Sequence, residues 1–274
     1  MPVLSGGFPR RIVCLTEETT ETLYLLGEQH RIVGISGYTV RPPEARREKA
    51  LVSAFLSAKF DKIDELKPDL VLAFSDLQAD LTRELIRRGH AVFTFNQRSV
   101  EEIFEMISTL ARLVQAEARG ERLIAELREG LKKVEQAAAR LPRRPRVFFE
   151  EWADPLISGI RWVEELVVIA GGDPVFPELS GKAAAKDRIV TAEAVAERAP
   201  ELVLASWCGR KVDVEKIRER PGWATIPAVL NGQIREIKSA DILQPGPAAL
   251  TDGLKQIHNA VVLAAGNPQH GMEA

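Results

Sequence analysis

Long hydrophobic runs are absent from this chain of 274 residues. Nothing in it reaches the ~18 consecutive apolar residues that a membrane-spanning helix needs. An excess of one charge is also missing. Lys and Arg number 37 against 39 Asp and Glu, a net charge of −2. That balance excludes a nucleic-acid partner, because phosphate binding needs a basic excess on one surface. The one basic cluster, Arg143-Arg144-Pro145-Arg146, is read as cations at a helix C-terminus, where the helix dipole favours them. Cysteine is scarce. Cys14 and Cys208 share no metal-ligand spacing with each other or with the four histidines, so no metal site is expected. Cys14 sits in an apolar strand pattern and reads as a small buried hydrophobe. Cys208 follows Trp207 at a strand end, and a disulfide between the two is not expected.

Catalytic signatures are absent too. There is no G-x-x-x-x-G-K-[ST] loop, no G-x-G-x-x-G after the first strand, and no G-x-S-x-G, H-E-x-x-H or C-x-x-C. His30, His90, His258 and His270 fall by pattern in loops or on a surface helix, and none adjoins a plausible nucleophile. No catalytic residue is assigned, and an enzyme is not expected. The stretch Met1–Arg11 has no basic region followed by an apolar one, so no signal peptide is expected there and the chain is cytoplasmic if Met1 is its native start.

What is present is ordinary core-forming material, 45% apolar and 28% charged, enough for one large domain or two small ones. Its organising stretch is Ser99–Leu141. Ser99 and Glu102 form a capping-box pattern. Apolar residues then recur at helical spacing through Ile103, Met106, Ile107, Leu110 and Val114, and again through Leu123, Ile124, Leu127, Leu131 and Val134. A break is expected at Gln115–Gly120, leaving a second helix of about 40 Å. The boundaries that follow are 1–114 for an N-terminal lobe, 115–141 for a bridging helix and 142–274 for a C-terminal lobe. A single helical bridge predicts little rotation of one lobe against the other when ligand binds.

On both sides of this spine, apolar runs alternate with helical patterns. Arg11–Leu15, Ile32–Ile35, Leu70–Ala73 and Ala91–Phe95 read as strands before it, and Arg146–Glu150, Leu202–Ala205 and Gln233–Ile237 after it. Helices are predicted over Thr16–Leu26, Phe60–Leu66, Gln78–Arg88, Trp162–Ala170, Thr191–Arg198, Val214–Glu219 and Pro247–Ala265, with loop or a short helix over Tyr38–Glu48. Such alternation predicts an α/β fold of two three-layer lobes with mainly parallel sheets, joined by a long α-helix. A faint internal repeat supports two related lobes: Lys67-Pro-Asp-Leu-Val-Leu-Ala73 matches Ala199-Pro-Glu-Leu-Val-Leu-Ala205.

In open parallel sheets, ligands bind outside the carboxyl ends of the strands. Those ends carry Thr16, Glu17, Glu18, Ser36, Tyr38, Phe74, Ser75, Asn96, Gln97 and Arg98 in the first half. In the second half they carry Glu150, Glu151, Trp152, Trp207, Cys208, Ser239 and Asp241, with Trp162 just before a helix. Aromatic faces rimmed by a few polar groups suit a large, flat ligand. Core packing is the lesser reading for Trp152 and Trp207, and complementing a helix dipole is the plain alternative for Glu17 and Glu18. Strand alternation makes Glu150 the more buried of its pair, in need of Arg98, Arg161 or Lys186 as a partner.

Several segments together resemble the ABC-importer substrate-binding proteins for vitamin B12, haem and ferric siderophores, the cobalamin-binding branch above all. They are Arg11-Ile-Val-Cys-Leu-Thr16, Thr20-Glu-Thr-Leu-Tyr-Leu-Leu-Gly27, Arg31-Ile-Val-Gly34, Pro42-Pro-Glu44 and Ile63–Leu72, then Glu164–Gly172, Arg220-Pro-Gly-Trp223 and Gln244-Pro-Gly-Pro247. The resemblance implies two α/β lobes with the ligand in a cleft between them. It implies a non-catalytic, monomeric solute-binding protein, periplasmic by kinship, that holds a corrinoid or related metal chelate for an ABC permease. Cobalamin, haem or a ferric siderophore would be bound as cargo. On this view Tyr38, Phe74, Trp152, Trp162 and Trp207 supply walls, while Glu17, Arg98, Glu151 and Gln244 supply polar contacts and Cys208 lies near the metal. Permease docking falls to surface acids, Asp80 in one lobe and Asp213 or Glu215 in the other. Glu17 and Glu18 stand where the family more often has small polar residues, which favours a cationic or metal-bearing ligand. A cytosolic chaperone that reuses the fold, and an enzyme using Glu17 or Glu151, are the alternatives.

Overall fold

The computed structural model describes residues 7–266. The predicted fraying after Gly266, and His270 with it, lies outside the described residues. Two compact units emerge. Unit 1 comprises residues up to Gln97 together with Glu101–Leu127 and Gln244–Pro247; unit 2 comprises Arg98–Val100, Arg128–Leu243 and the chain from Ala248.

Unit 1 begins with β1 (Ile12–Cys14), α1 (Glu17–Leu25), β2 (Ile32–Ser36), α2 (Ala45–Glu48), β3 (Ala50–Ala54), β4 (Ser57–Ala58) and α3 (Phe60–Leu66). It continues with β5 (Leu70–Phe74), α4 (Ala79–Arg87) and β6 (Val92–Phe95). The sheet order is β4-β3-β2-β1-β5-β6. All neighbours are parallel except the β3–β4 pair. Central strands buried on both faces explain the unbroken apolar runs. Val13, Leu15, Val52, Ile63, Val71 and Leu85 pack as one cluster. Burying each such side chain is worth about 1.5–3 kcal/mol.

The predicted spine divides where expected, into α5 (Val100–Leu113) and α6 (Glu117–Ala138). At 22 residues α6 is about 33 Å long. Between the two helices Gln115 takes φ +57°. A Cβ on Gly120 would come 2.5 Å from the Ala111 Cβ, so only glycine allows this close approach of the helices. The first turn of α6 is further tied to unit 1 through Glu28, which pairs with both Arg31 and Arg119.

Unit 2 contains β7 (Arg146–Ala153), β8 (Leu156–Ser158), α7 (Arg161–Ile169), β9 (Asp173–Pro174), α8 (Ala192–Glu197) and β10 (Leu202–Ala205). After these come α9 (Val214–Arg218), α10 (Pro227–Leu230), β11 (Ile234–Glu236), α11 (Ser239–Ile242) and α12 (Leu254–Gly266). Its sheet runs β11-β10-β7-β8, with β9 also on β7. β10 is parallel to β7 and β11, and β8 is antiparallel to β7. Phe148 centres the core, edge-on to Trp223 at 6.0 Å and to Phe176 at 5.8 Å.

The internal repeat is a repeated structural device. Lys67 and Ala199 both take a left-handed conformation, φ +46° and +43°, just before the proline that leads into a strand. In unit 1 the following acid, Asp69, accepts the backbone N–H groups of Arg10 and Arg11 at 2.8 and 3.0 Å, and the Arg11 guanidinium donates to the Leu66 and Lys67 carbonyls. In unit 2 Glu201 accepts the Arg146 N–H at 2.9 Å, and the Arg146 Nε donates to the Ala199 carbonyl at 3.0 Å. Each acid thus clamps the chain where the neighbouring parallel strand begins, just before β1 in unit 1 and at the first residue of β7 in unit 2.

Two expectations need correction. Sequence patterning missed β4, β8 and β9, which are two or three residues long, and β3, whose Ala-Leu-Val-Ser-Ala run holds a single β-branched residue. The terminal helix does not run evenly from Pro247: a π-helical turn over Ala249–Gly253 precedes α12, because Gly253 lies against the Asp241 carbonyl with no room for a Cβ. The basic cluster serves helix C-termini, as expected. Arg144 donates to the Val168 and Gly172 carbonyls at the end of α7, and Arg143 to the Ala264 carbonyl in α12.

Candidate functional site

Parallel strands in one sheet place the residues that follow them along one edge, and this gathers the candidate side chains of unit 1. Glu17 and Glu18 form the first turn of α1 directly after β1. Both are buried, at 8% and 1% exposure. Among the described residues no Lys, Arg or His side chain forms an ion pair with either. The Thr16 hydroxyl donates to Glu18 Oε1 at 2.5 Å, while Glu18 Oε2 has no partner. Burial, opposed by the backbone N–H of each residue, raises the Glu17 carboxyl to about 7. Burial also raises Glu18 to about 8, with the Thr16 hydroxyl pulling the other way and the Glu17 charge adding to the rise. Gly246, in the Gln244–Pro247 segment, lies against Glu18: a Cβ there would come 2.5 Å from the Glu18 Cβ. Gln97, just beyond β6, donates from Nε2 to the Pro245 carbonyl at 2.9 Å, and its own Oε1 is buried without a partner. Unit 1 therefore brings Glu17, Glu18, Gln97 and the segment bearing Gln244 together.

The other candidates of unit 1 differ in exposure. Tyr38 is 54% exposed, with its backbone N–H bonded to Ser36 Oγ. Phe74 is 4% exposed and packs inward, because every residue of β5 is buried. An open groove of about 590 Å³ lies between α4 and the ends of β5 and β6, lined by Ser75, Asp76, Thr82, Arg83, Arg87 and Asn96 among others. Of its lining, Ser75 and Asn96 were marked by their place at strand ends; the α4 side was not, since a groove needs two elements to be placed side by side.

In unit 2 the Glu150–Glu151 pair at β7 is divided by strand alternation, as expected. Glu150 is fully buried. Its partner is not Arg98, Arg161 or Lys186 but Arg220, which donates to Oε2 at 2.7 Å and Oε1 at 3.1 Å, joined by the Trp207 indole N–H at 3.2 Å. Arg161 instead pairs with Glu165, its neighbour one helical turn on. Glu151 carries Arg188, bound at 2.6 and 3.1 Å and itself 1% exposed. Glu164 of α7 is buried nearby with its carboxyl against Gly159. Burial raises it to about 8, against the pull of the Arg188 charge.

The tryptophans separate. Trp152 is half-buried, under the Arg210 guanidinium at 5.3 Å, with its N–H on the Asp154 carbonyl. Trp207 packs in the hydrophobic cluster of unit 2. Trp162, predicted as a wall, is a core residue: 3% exposed on the inner face of α7, its N–H donating to the Ile242 carbonyl at 2.9 Å. Arg98 is half-buried. Cys208 is an exposed free thiol, and Cys14 is buried, with desolvation pushing its thiol up to about 12. Two histidines are less solvated than expected: His90 bonds Asp64 at 2.6 Å and His258 bonds the Ala170 carbonyl at 2.9 Å. No group of three His, Cys, Asp or Glu side chains is placed to hold a metal among the described residues.

The surface acids are all exposed. Asp80 starts α4 and pairs with Arg83 at 2.9 Å. Asp213 caps α9 by accepting the Lys216 N–H, and Glu215 pairs with Arg218 at 2.9 Å. No helix among the described residues is long and apolar enough to cross a membrane.

Comparison with known proteins adds a family. A family model described as periplasmic binding protein matches residues 12–240. An uncharacterised ABC transporter substrate-binding lipoprotein of Bacillus subtilis is 25% identical over 267 residues, covering 92% of this chain and 80% of the relative. A vitamin B12-binding protein of Vibrio parahaemolyticus is 26% identical over 247 residues, covering 88% and 85%. Among solved structures, a periplasmic haem-binding protein from Roseiflexus in its apo form superposes with a TM-score of 0.78 at 23% identity, over 92% of this chain and 99% of that one.

Proposed function

The chain belongs to the periplasmic binding protein family, and from that premise we propose that it binds a corrinoid or a related metal chelate and presents it to an ABC permease. The observation that carries this reading is the family match itself, running through nearly all of both sheets. Relatives named for vitamin B12 and for haem narrow the ligand to large, flat, metal-bearing molecules. The carboxyl ends of the parallel strands offer suitable contacts: Glu17 and Gln244 with Tyr38 in unit 1, and Trp152, Glu151 and Arg98 in unit 2. Trp207 acts one step back, by fixing Glu150. The ligand is cargo, bound without covalent attachment and released unchanged, and one chain suffices to hold it. Asp80, Asp213 and Glu215 are exposed and acidic, which suits them to meet basic groups on a permease. The lipoprotein relative supports delivery outside the cytoplasmic membrane.

Calorimetric titration with cyanocobalamin, haemin and ferric siderophores tests the reading. Binding of at least one at micromolar or lower Kd is expected. Failure of all of them to bind overturns it. Absorbance of protein purified from its own host gives an independent check, since corrinoids and haem are coloured.

A further inference from the structure

Side chains at the carboxyl edge of unit 1 offer acceptors in excess of donors. Glu18 Oε2 and Gln97 Oε1 are both buried and both lack a partner, on residues only 1% and 4% exposed. They flank the same short segment, Glu18 through its packing on Gly246 and Gln97 through its bond to the Pro245 carbonyl. Glu17 adds a third acceptor group, 8% exposed and bound to no cation among the described residues. A buried acceptor left without a donor costs about 1–3 kcal/mol, and native structures rarely leave such groups unanswered without a functional reason.

The same turn is closed to anions. A helix N-terminus ordinarily attracts negative charge through its free N–H groups. Here the first turn of α1 carries the carboxyls of Glu17 and Glu18 themselves, both buried and neither paired with a cation among the described residues. A ligand carboxylate or phenolate brought to this turn would meet two carboxyl groups and no free cation. A ligand amide, amine or metal-bound water would find acceptors already desolvated.

We propose that Glu17, Glu18 and Gln97 form an acceptor-lined ligand contact that selects chelates presenting hydrogen-bond donors or positive charge and rejects anionic ones. This rests on the solute-binding reading above and specifies its ligand class. Amide-fringed corrinoids and cationic corrinoid fragments fit the contact. Haem, with its propionates, and catecholate ferric siderophores, with their high negative charge, do not.

The test is a titration series on the full chain at pH 9, above the raised values of both Glu17 and Glu18, where the carboxyls carry most charge. Wild type, Glu17→Gln and Gln97→Leu are each titrated with diaquocobinamide, cyanocobalamin, haemin and a ferric catecholate. Glu→Gln keeps shape while removing charge, and thermal melts confirm that each variant is folded. In wild type the two corrinoids are expected to bind at least tenfold tighter than haemin or the catecholate. Glu17→Gln is expected to weaken the cationic cobinamide tenfold or more and to tighten haemin. Gln97→Leu is expected to weaken both corrinoids. Anionic chelates binding as tightly as corrinoids overturn the inference and leave the solute-binding reading standing. So does a Glu17→Gln variant whose preference is unmoved, since water would then be answering these oxygens. If none of the four ligands binds, the solute-binding reading falls and this inference falls with it.

Discussion

Glu164→Gln should make this protein more stable at neutral pH, and by an amount that depends on pH. The carboxyl of Glu164 is buried beside Gly159, and burial lifts it from 4.5 to about 8 even though Arg188 pulls it down. The folded state therefore holds a proton that the unfolded chain releases. Below pH 4.5 the group is neutral in both states and costs nothing. Between 4.5 and about 8 the unfolded chain ionises first, so stability falls as pH rises, and above about 8 the loss is complete. Each pH unit in that window costs about 1.4 kcal/mol, so by pH 7 the loss is on the order of 3 kcal/mol. Glutamine keeps the volume and the acceptor for the Gly159 N–H but does not titrate. Urea unfolding of wild type and variant at half-unit steps from pH 4.5 to 9 measures the difference directly. Glu17 and Glu18 contribute falling stability of the same sign to both proteins, so the difference isolates Glu164. A stability difference flat across the range would refute the reasoning. It would mean that Glu164 is already ionised in the fold and pairs with Arg188.

Other expectations follow from single contacts. Arg220→Met strands the fully buried Glu150 with only the Trp207 N–H, and should cost about 3–5 kcal/mol, much of it recovered in the Glu150→Gln/Arg220→Met double variant; an additive double variant would contradict the pairing. Asp69→Ala should cost about 1 kcal/mol and Glu201→Ala about 2, the buried acid losing more, as read by thermal melts. A Glu201→Ala variant as stable as wild type would show that the clamp is idle. A thiol reagent should titrate one cysteine, Cys208, in the native protein and a second, Cys14, only after unfolding; two fast thiols in the native state would contradict the burial of Cys14.

Much of the fold was legible because its signals are local. The buried runs around Val13, Val71, Phe148 and Val203 announced parallel strands, since a strand covered on both faces is apolar throughout. The Lys67 and Ala199 repeats marked two related units, and Gln115–Gly120 marked the break in the spine, because each is a backbone demand met by residues close in sequence. The strands β3, β4, β8 and β9 were not legible. They exist through pairing with neighbouring strands, and their sequences are too short or too poor in β-branched residues to carry a pattern.

The candidate site divides in the same way. Chain order put Glu17, Glu18, Gln97, Glu150 and Glu151 at strand ends, and alternation picked Glu150 as the buried acid. The sequence by itself thus determined the α/β class, the family kinship and the shortlist of site residues, all properties of neighbouring residues or of their order. Only the tertiary structure decided which acid meets which cation. Arg220 lies 70 residues from Glu150 and Arg188 lies 37 from Glu151, and no local pattern encodes those separations. It also decided that Trp162 and Phe74 are buried, and that Glu17 and Glu18 are buried with no cation paired to them among the described residues, because burial depends on everything that packs around a residue.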